Sequence, residues 1–200
     1  MELIGSYGSP FVRRVAVTLH LYGMAFTQLP LGTVPDAAAI RAKNPLGRVP
    51  ALVLDDGEVL IDSLFIIDWM DEQAGARALV PRAGAERRRV NRLTALAQGA
   101  AEKYVIAYYE LTRRPGTHLW PPWRDWVEGQ IAGALAALDA AVAGPWLLGA
   151  ALTHADIAAA CAVLAMRADM PHLAPEGRFP HLDVVVREAA GLPAFAATAV

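Results

Sequence analysis

The sequence has one cysteine, no long apolar run and almost no net charge, and each scarcity excludes a class of protein. Cys161 alone cannot form an internal disulfide, which favours a reducing compartment such as the cytoplasm. The apolar run IAAACAVLAM is ten residues long, about half of what a membrane-spanning helix needs. A formal charge of −2 without a basic or acidic tail argues against nucleic acid or an anionic membrane surface as a partner.

Several catalytic motifs are also missing. The sequence contains no HExxH, CxxC, GxxxxGK[ST], GxGxxG or GxSxG, so metalloprotease, dithiol, nucleotide-binding and serine-hydrolase chemistry all lack their characteristic residues. The five histidines are scattered without the spacing of metal ligands. We therefore expect no metal site.

The first 75 residues mix short apolar strands with helices. MELIG predicts a strand, and Ser9-Pro10 predicts a helix start, because serine is a favoured N-cap and proline is favoured at the first helical position. A second strand, a short helix, a hairpin through Asp55-Asp56-Gly57 and a helix from Asp62-Ser63 follow. The order βαβαββα predicts a small mixed sheet covered by helices.

The remainder of the chain lacks strand alternation and predicts helices only. We expect a linker over residues 76–84, which contains Pro81 and Gly84, and an all-α domain over residues 85–200. The longest predicted helices are near 85–113, 123–143 and 153–169. Within this half, THAD (Thr153 to Asp156) predicts an N-terminal capping box.

Three short stretches in the first half stand out together: SPFVRRV, NPLGRVPAL and DGEVLIDS. Taken singly, each has an ordinary structural explanation. Ser9 and Asp62 are helix caps, and Pro50 is tolerated at a strand edge, where its missing N–H leaves no ladder bond unmade. In this order, and followed by an all-helical half, they resemble the cytosolic glutathione transferase superfamily, over essentially the whole chain. The serine at the first helix is most similar to bacterial branches of the YibF-like kind.

The resemblance implies a thioredoxin-like domain that binds glutathione as co-substrate and a helical domain that supplies the second-substrate pocket. It implies that Ser9 stabilises the glutathione thiolate, with Tyr7 and Ser6 as alternatives because related branches place this residue at different offsets. A helix N-terminus favours an anion, and a hydroxyl can donate one further hydrogen bond to it. A cysteine stands at the position of Ser9 in the omega branch, so disulfide exchange with protein thiols is not expected here.

Further residues follow from the same resemblance. The Val49–Pro50 bond is expected to be cis and to present the Val49 backbone to the cysteinyl part of glutathione. Ser63 is expected to bind the γ-glutamyl carboxylate and Asp62 the amine. Arg48 is expected either near the glycine carboxylate or on a solvated surface.

For the second substrate, the resemblance indicates a pocket formed by Tyr104, Tyr108 and Trp120, although packing in the core explains any one of them equally well. It also implies a cytoplasmic homodimer. The expected function is transfer of glutathione to a small, hydrophobic electrophile, or peroxidase chemistry with the same thiolate. The alternatives are a non-catalytic ligand- or partner-binding protein, and a glutathione-dependent isomerase or dehalogenase.

Overall fold

The computed structural model describes all 200 residues and divides into two compact units. The first comprises Met1–Val80 together with Gly191–Val200, and the second comprises Pro81–Ala190. The sequence instead assigned the last ten residues to the helical domain and ended the first domain at residue 75. The difference arises because residues 191–200 form their contacts with the first unit, which local sequence pattern does not reveal.

The first unit contains a four-stranded mixed sheet. Strands β1 (Glu2–Ile4), β2 (Thr27–Leu29), β3 (Ala51–Val53) and β4 (Val59–Ile61) lie in the order β2-β1-β3-β4. β1 is parallel to β2 and antiparallel to β3, and β3 is antiparallel to β4. With helices α1 (Pro10–Tyr22), α2 (Ala37–Lys43) and α3 (Ser63–Ala74), this is the predicted βαβαββα order of a thioredoxin-like fold.

Alternation along the strands divides the core of this unit between the two faces of the sheet. Leu3 and Leu52 pack with α1 and α3, whereas the adjacent Ile4 and Ala51 pack with Ile40 of α2. The sheet therefore has helices on both faces, and its buried residues lie in the two central strands, β1 and β3.

The ends of α1 follow local rules that the sequence displays. Ser9 is the N-cap, Pro10 is the first helical residue, and Gly23 ends the helix with a left-handed φ of 68°. At the C-terminal end of α1, the Tyr22 hydroxyl donates to the carboxylate of Asp71 on α3 and accepts from the Leu79 N–H at 2.8 Å. This hydroxyl joins three segments of the first unit.

The second unit is entirely helical apart from its connecting loops. Its helices are α4 (Gly84–Arg113), α5 (Pro121–Asp139), α6 (His154–Asp169) and α7 (Pro180–Ala190). The α5 helix begins two residues before, and ends four residues before, the bounds expected from the sequence. A last short helix, α8 (Pro193–Ala196), lies in the segment that belongs to the first unit. None of the helices combines the length and apolar character that a membrane span requires.

The predicted capping box at the start of α6 is present. The fully buried Asp156 carboxylate accepts from the Thr153 N–H, the Thr153 hydroxyl and the Leu147 N–H, each at 2.7 Å. Burial raises the pKa of Asp156, although these hydrogen bonds act in the opposite direction. The carboxylate therefore ties the preceding loop to the central helix of the second unit.

Candidate functional site

The three stretches singled out in the sequence meet at one edge of the sheet. Ile4, the last residue of β1, pairs with Ala51, the first residue of β3, and Ala51 pairs with Ile61, the last residue of β4. The segments that leave this edge are the turn before α1, the Val49–Pro50 dipeptide and the start of α3. Residues that are far apart in sequence are thus brought side by side by strand register.

The turn between β1 and α1 presents the Ser9 hydroxyl. The Ser9 N–H donates to the Ser6 carbonyl at 3.0 Å, and Ser9 Oγ accepts from the Val12 N–H at 3.4 Å. The hydroxyl proton is not used by this cap and remains available for a ligand. Proline at the first helical position has no N–H, and the Phe11 N–H makes no hydrogen bond within the chain. The helix start therefore offers two donors to an anion.

The alternatives to Ser9 lie in the same turn. Tyr7 is half-buried against the core on the α1 face, and burial raises the pKa of its phenol. Tyr7 thus stays protonated at neutral pH and can only donate to a thiolate. Ser6 is exposed, and its hydroxyl oxygen accepts from the Gly8 N–H at 3.3 Å.

The Val49–Pro50 peptide bond is cis, as the resemblance implied. Neither the N–H nor the C=O of Val49 forms a hydrogen bond within the chain, so both are open to an extended ligand. Gly5 lies directly beside this residue, since a Cβ built on Gly5 would be 2.9 Å from Val49 Cβ and 2.5 Å from Val12 Cγ2. Gly5 therefore lets the start of α1 and the Val49 segment approach each other.

Asn44 is a residue of this site that the sequence analysis did not single out. It is buried, its Nδ2 donates to the Arg48 carbonyl at 2.9 Å, and its Oδ1 accepts from the Leu46 N–H at 3.1 Å. These bonds fix the loop that leads to Val49. The sequence feature that could have identified Asn44 is its place in NPLG, because the asparagine side chain often forms hydrogen bonds with nearby backbone in turns.

The start of α3 combines a strained backbone with polar groups that have no partner within the chain. Asp62, its N-cap, has a φ of 68° and a ψ of 128°, and is the only non-glycine residue with a positive φ. Its Oδ1 accepts from the Leu64 N–H at 2.9 Å, which leaves Oδ2 for a ligand. Ser63, the first helical residue, is buried, and its side chain makes no hydrogen bond within the chain. Non-glycine residues with positive φ are concentrated at ligand sites.

The residues expected at the second-substrate pocket lie in the second unit. Tyr104 is buried, its hydroxyl donates to Asp169, and burial raises its pKa. Tyr108 is half-buried, with its ring centroid 6.1 Å from that of Tyr104. Trp120, the N-cap of α5, is 66% exposed. The structure thus places the two tyrosines in contact, with the Tyr104 hydroxyl already bonded, and leaves most of Trp120 open.

Comparison with known protein families agrees with this geometry. Residues 3–78 match the model of the glutathione S-transferase N-terminal domain, and residues 121–187 match that of the C-terminal domain. A maleylacetoacetate isomerase from Pseudomonas aeruginosa is 31% identical over 144 residues, which cover 70% of this chain and 68% of that protein. The chain belongs to the glutathione S-transferase family of enzymes.

Individual relatives define the family position more closely. The GST-like protein YibF of Escherichia coli is 36% identical over 116 residues, which span 56% of each chain. A glutathione transferase family member from Pseudomonas fluorescens Pf-5, whose crystal structure contains bound glutathione, is 34% identical. Its TM-score is 0.87, with 98% of this chain and 97% of that chain covered. The predicted similarity to a YibF-like branch is consistent with these matches.

Proposed function

We propose that the chain is a glutathione transferase that activates the thiolate of bound glutathione for attack on a small electrophile. The observation that supports this proposal is the meeting, at one sheet edge, of three segments whose polar groups have no partner within the chain. They are the start of α1, the backbone of Val49 and the start of α3. Bound glutathione in the Pseudomonas fluorescens relative supports the choice of ligand.

The sulfur of glutathione is assigned to the start of α1. A thiol with a pKa near 8.5 is mostly protonated at neutral pH, and lowering that pKa by about two units requires about 2.7 kcal/mol. A hydrogen bond from the Ser9 hydroxyl to a charged sulfur contributes about 1.5–3 kcal/mol. The helix N-terminus adds about 0.3–1 kcal/mol. These two contributions are together large enough for the required shift, so Ser9 activates the sulfur without acting as a nucleophile.

The remainder of glutathione is assigned to the other two segments. The Val49 N–H and C=O pair with the cysteinyl residue as a short added strand, and Pro50 shapes this edge. The Ser63 hydroxyl and the N–H groups of Ser63 and Phe65 bind the γ-glutamyl carboxylate, since a helix N-terminus attracts anions. The free Oδ2 of Asp62 binds the γ-glutamyl amine, and Arg48 is assigned to the glycine carboxylate.

The electrophile is assigned to the aromatic side chains of Tyr108 and Trp120, with the Tyr104 ring in contact with that of Tyr108. Flat apolar walls fit a planar, hydrophobic molecule. With an aryl halide, the thiolate sulfur bonds to the ring carbon, halide leaves with the bonding electrons, and the thiol proton passes to solvent. Glutathione and the electrophile are the two reactants in this scheme, and no metal ion is assigned a role.

The test is conjugation of glutathione to a model aryl halide by wild type and three single variants. Ser9→Ala is expected to lower kcat/KM by about a hundredfold, the effect of removing one donor to a developing anion. Tyr7→Phe and Ser6→Ala serve as matched hydroxyl deletions in the same turn and are expected to stay within about threefold. A large loss in Tyr7→Phe with Ser9→Ala unaffected would assign the thiolate to Tyr7 instead.

The same purified protein can be used to distinguish two other functions from the proposed one. Retention on immobilised glutathione without turnover of any electrophile would indicate a non-catalytic binding protein. The match to maleylacetoacetate isomerase favours a second enzymatic candidate, addition of glutathione to a carbon–carbon double bond followed by its elimination after rotation. A screen of cis-unsaturated dicarboxylates, read by loss of the cis isomer at constant glutathione, tests that reaction.

We also propose that two copies of the chain associate through the exposed start of α3. Phe65 is 66% exposed and Leu64 is 46% exposed, which is costly for adjacent large apolar side chains in contact with water. Phe65→Ser should shift sedimentation from a dimer to a monomer, whereas Val34→Ser, at another exposed apolar residue, should not. A monomeric wild type would contradict the proposal.

A further inference from the structure

The segment Gly191–Val200 returns to the first unit and packs on α1, the helix whose start we assign to the glutathione sulfur. Two of its side chains are fully buried there, with Phe195 1% exposed and Thr198 0% exposed. The Thr198 hydroxyl donates to the carbonyls of Ala194 at 3.1 Å and Phe195 at 3.2 Å, so this segment is internally ordered. It therefore provides a defined surface for α1.

Arg13 joins α1 to this surface by three contacts. Its Nε donates to Thr198 Oγ1 at 3.4 Å, and its Nη2 donates to the Phe195 carbonyl at 3.4 Å. Its guanidinium carbon also lies 5.6 Å from the centroid of the Phe195 ring. Each hydrogen bond is longer than the usual range for an N–H···O bond. Together, however, two directional bonds and one ring contact fix the guanidinium plane, which a single bond would not do.

Arg13 is also bonded directly to the residue that we assign to the thiolate. The Arg13 N–H donates to the Ser9 carbonyl at 2.9 Å, the first helical bond of α1. By contrast, the Ser9 side chain holds this turn only through the longer bond of 3.4 Å to the Val12 N–H. A displacement of Arg13 therefore moves the Ser9 backbone and, with it, the hydroxyl that faces the sulfur.

We propose that Arg13 is a positioning residue, and that residues 195–198 act through it to hold the first turn of α1 in the geometry that binds the glutathione thiolate. This inference rests on the proposed function of Ser9. Arg13 itself is not assigned a contact with glutathione. Its effect should therefore appear in the binding of glutathione and not in the binding of the second substrate.

The experiment compares Arg13→Gln with Arg41→Gln, an exposed arginine of α2 in the same unit whose side chain makes no hydrogen bond or ring contact. For each variant, the Kd of glutathione is measured by calorimetry, and KM is measured separately for glutathione and for the aryl halide. Arg13→Gln should raise both glutathione constants about fivefold, the effect of losing one ordinary hydrogen bond. The KM for the aryl halide and all constants of Arg41→Gln should stay at wild-type values.

The single variant Thr198→Val keeps the inference testable even where Arg13→Gln folds poorly, and combining the two substitutions completes a double-mutant cycle. Thr198→Val removes one acceptor of Arg13 and should weaken glutathione binding by a smaller factor. In the double variant the loss should equal that of Arg13→Gln alone, because the two residues act through one contact. Additive losses, or unchanged glutathione affinity in both single variants, would overturn the inference. A wild type that does not bind glutathione would instead contradict the proposed function.

Discussion

Replacing Gly5 by alanine tests how closely the start of α1 and the Val49 segment are packed. The residue has a φ of 128°, and a Cβ there would lie 2.5 Å from Val12 Cγ2 and 2.9 Å from Val49 Cβ. The backbone conformation costs a non-glycine residue about 1–3 kcal/mol, and forcing an extra methyl into a filled space costs about 1–3 kcal/mol more. We expect Gly5→Ala to lower the free energy of unfolding by about 2–6 kcal/mol.

The matched control is Gly57→Ala. Gly57 also has a positive φ, 92°, but a Cβ there would meet nothing within 4 Å. This variant should lose only the conformational part, about 1–3 kcal/mol. Urea titration of both variants, followed by circular dichroism, gives the difference that is due to contact with Val12 and Val49.

Glutathione affinity provides the second readout of this comparison. Val12 and Val49 both flank groups that we assign to glutathione, so Gly5→Ala should weaken binding and Gly57→Ala should not. Equal stability losses in the two variants would refute the argument, because they would show that the close contacts around Gly5 contribute nothing. If Gly5→Ala is destabilised but keeps its affinity for glutathione, the packing around Gly5 is not required for glutathione binding.

Two further substitutions test the framework around the site. Tyr22→Phe removes a hydroxyl with two hydrogen bonds and leaves the Leu79 N–H without its acceptor; it should lower the free energy of unfolding by about 1–3 kcal/mol in urea titrations. Asp156→Asn should cost about 2 kcal/mol by the same measurement. Because burial raises the pKa of Asp156, protonation of this residue stabilises the fold. This contribution is fully present below the unfolded pKa of about 4 and is lost as pH rises through the folded pKa. The difference between wild type and Asp156→Asn should therefore be larger at pH 4 than at pH 7, and a difference that grows with pH would contradict the assignment.

Features that depend on local sequence were predictable. Ser9-Pro10 and Gly23 mark the ends of α1 because capping and left-handed φ are properties of the residues themselves. The capping box before α6 follows the same logic. At α5, Pro121 offered a usable signal for the helix start, since proline is favoured at the first position.

Features that depend on tertiary contact were not predictable in this way. No local pattern indicates that Phe195 and Thr198 pack on α1, because their partner Arg13 lies more than 180 residues earlier. The positive φ of Asp62 is likewise imposed by its surroundings, since aspartate does not prefer that conformation. The convergence of Ser9, Val49 and Asp62 could not be predicted without knowledge of the strand register.

The return of residues 191–200 to the first unit has a consequence for the order of synthesis. A ribosome releases β1 to α3 first, yet the surface of α1 that receives Phe195 and Thr198 stays uncovered until the whole helical unit has been made. The second unit is continuous in sequence, so all of its residues are available once Ala190 has emerged. The N-terminal unit is therefore the first to be synthesised and the last to be completed, and a fragment that ends at Val80 lacks part of its own core.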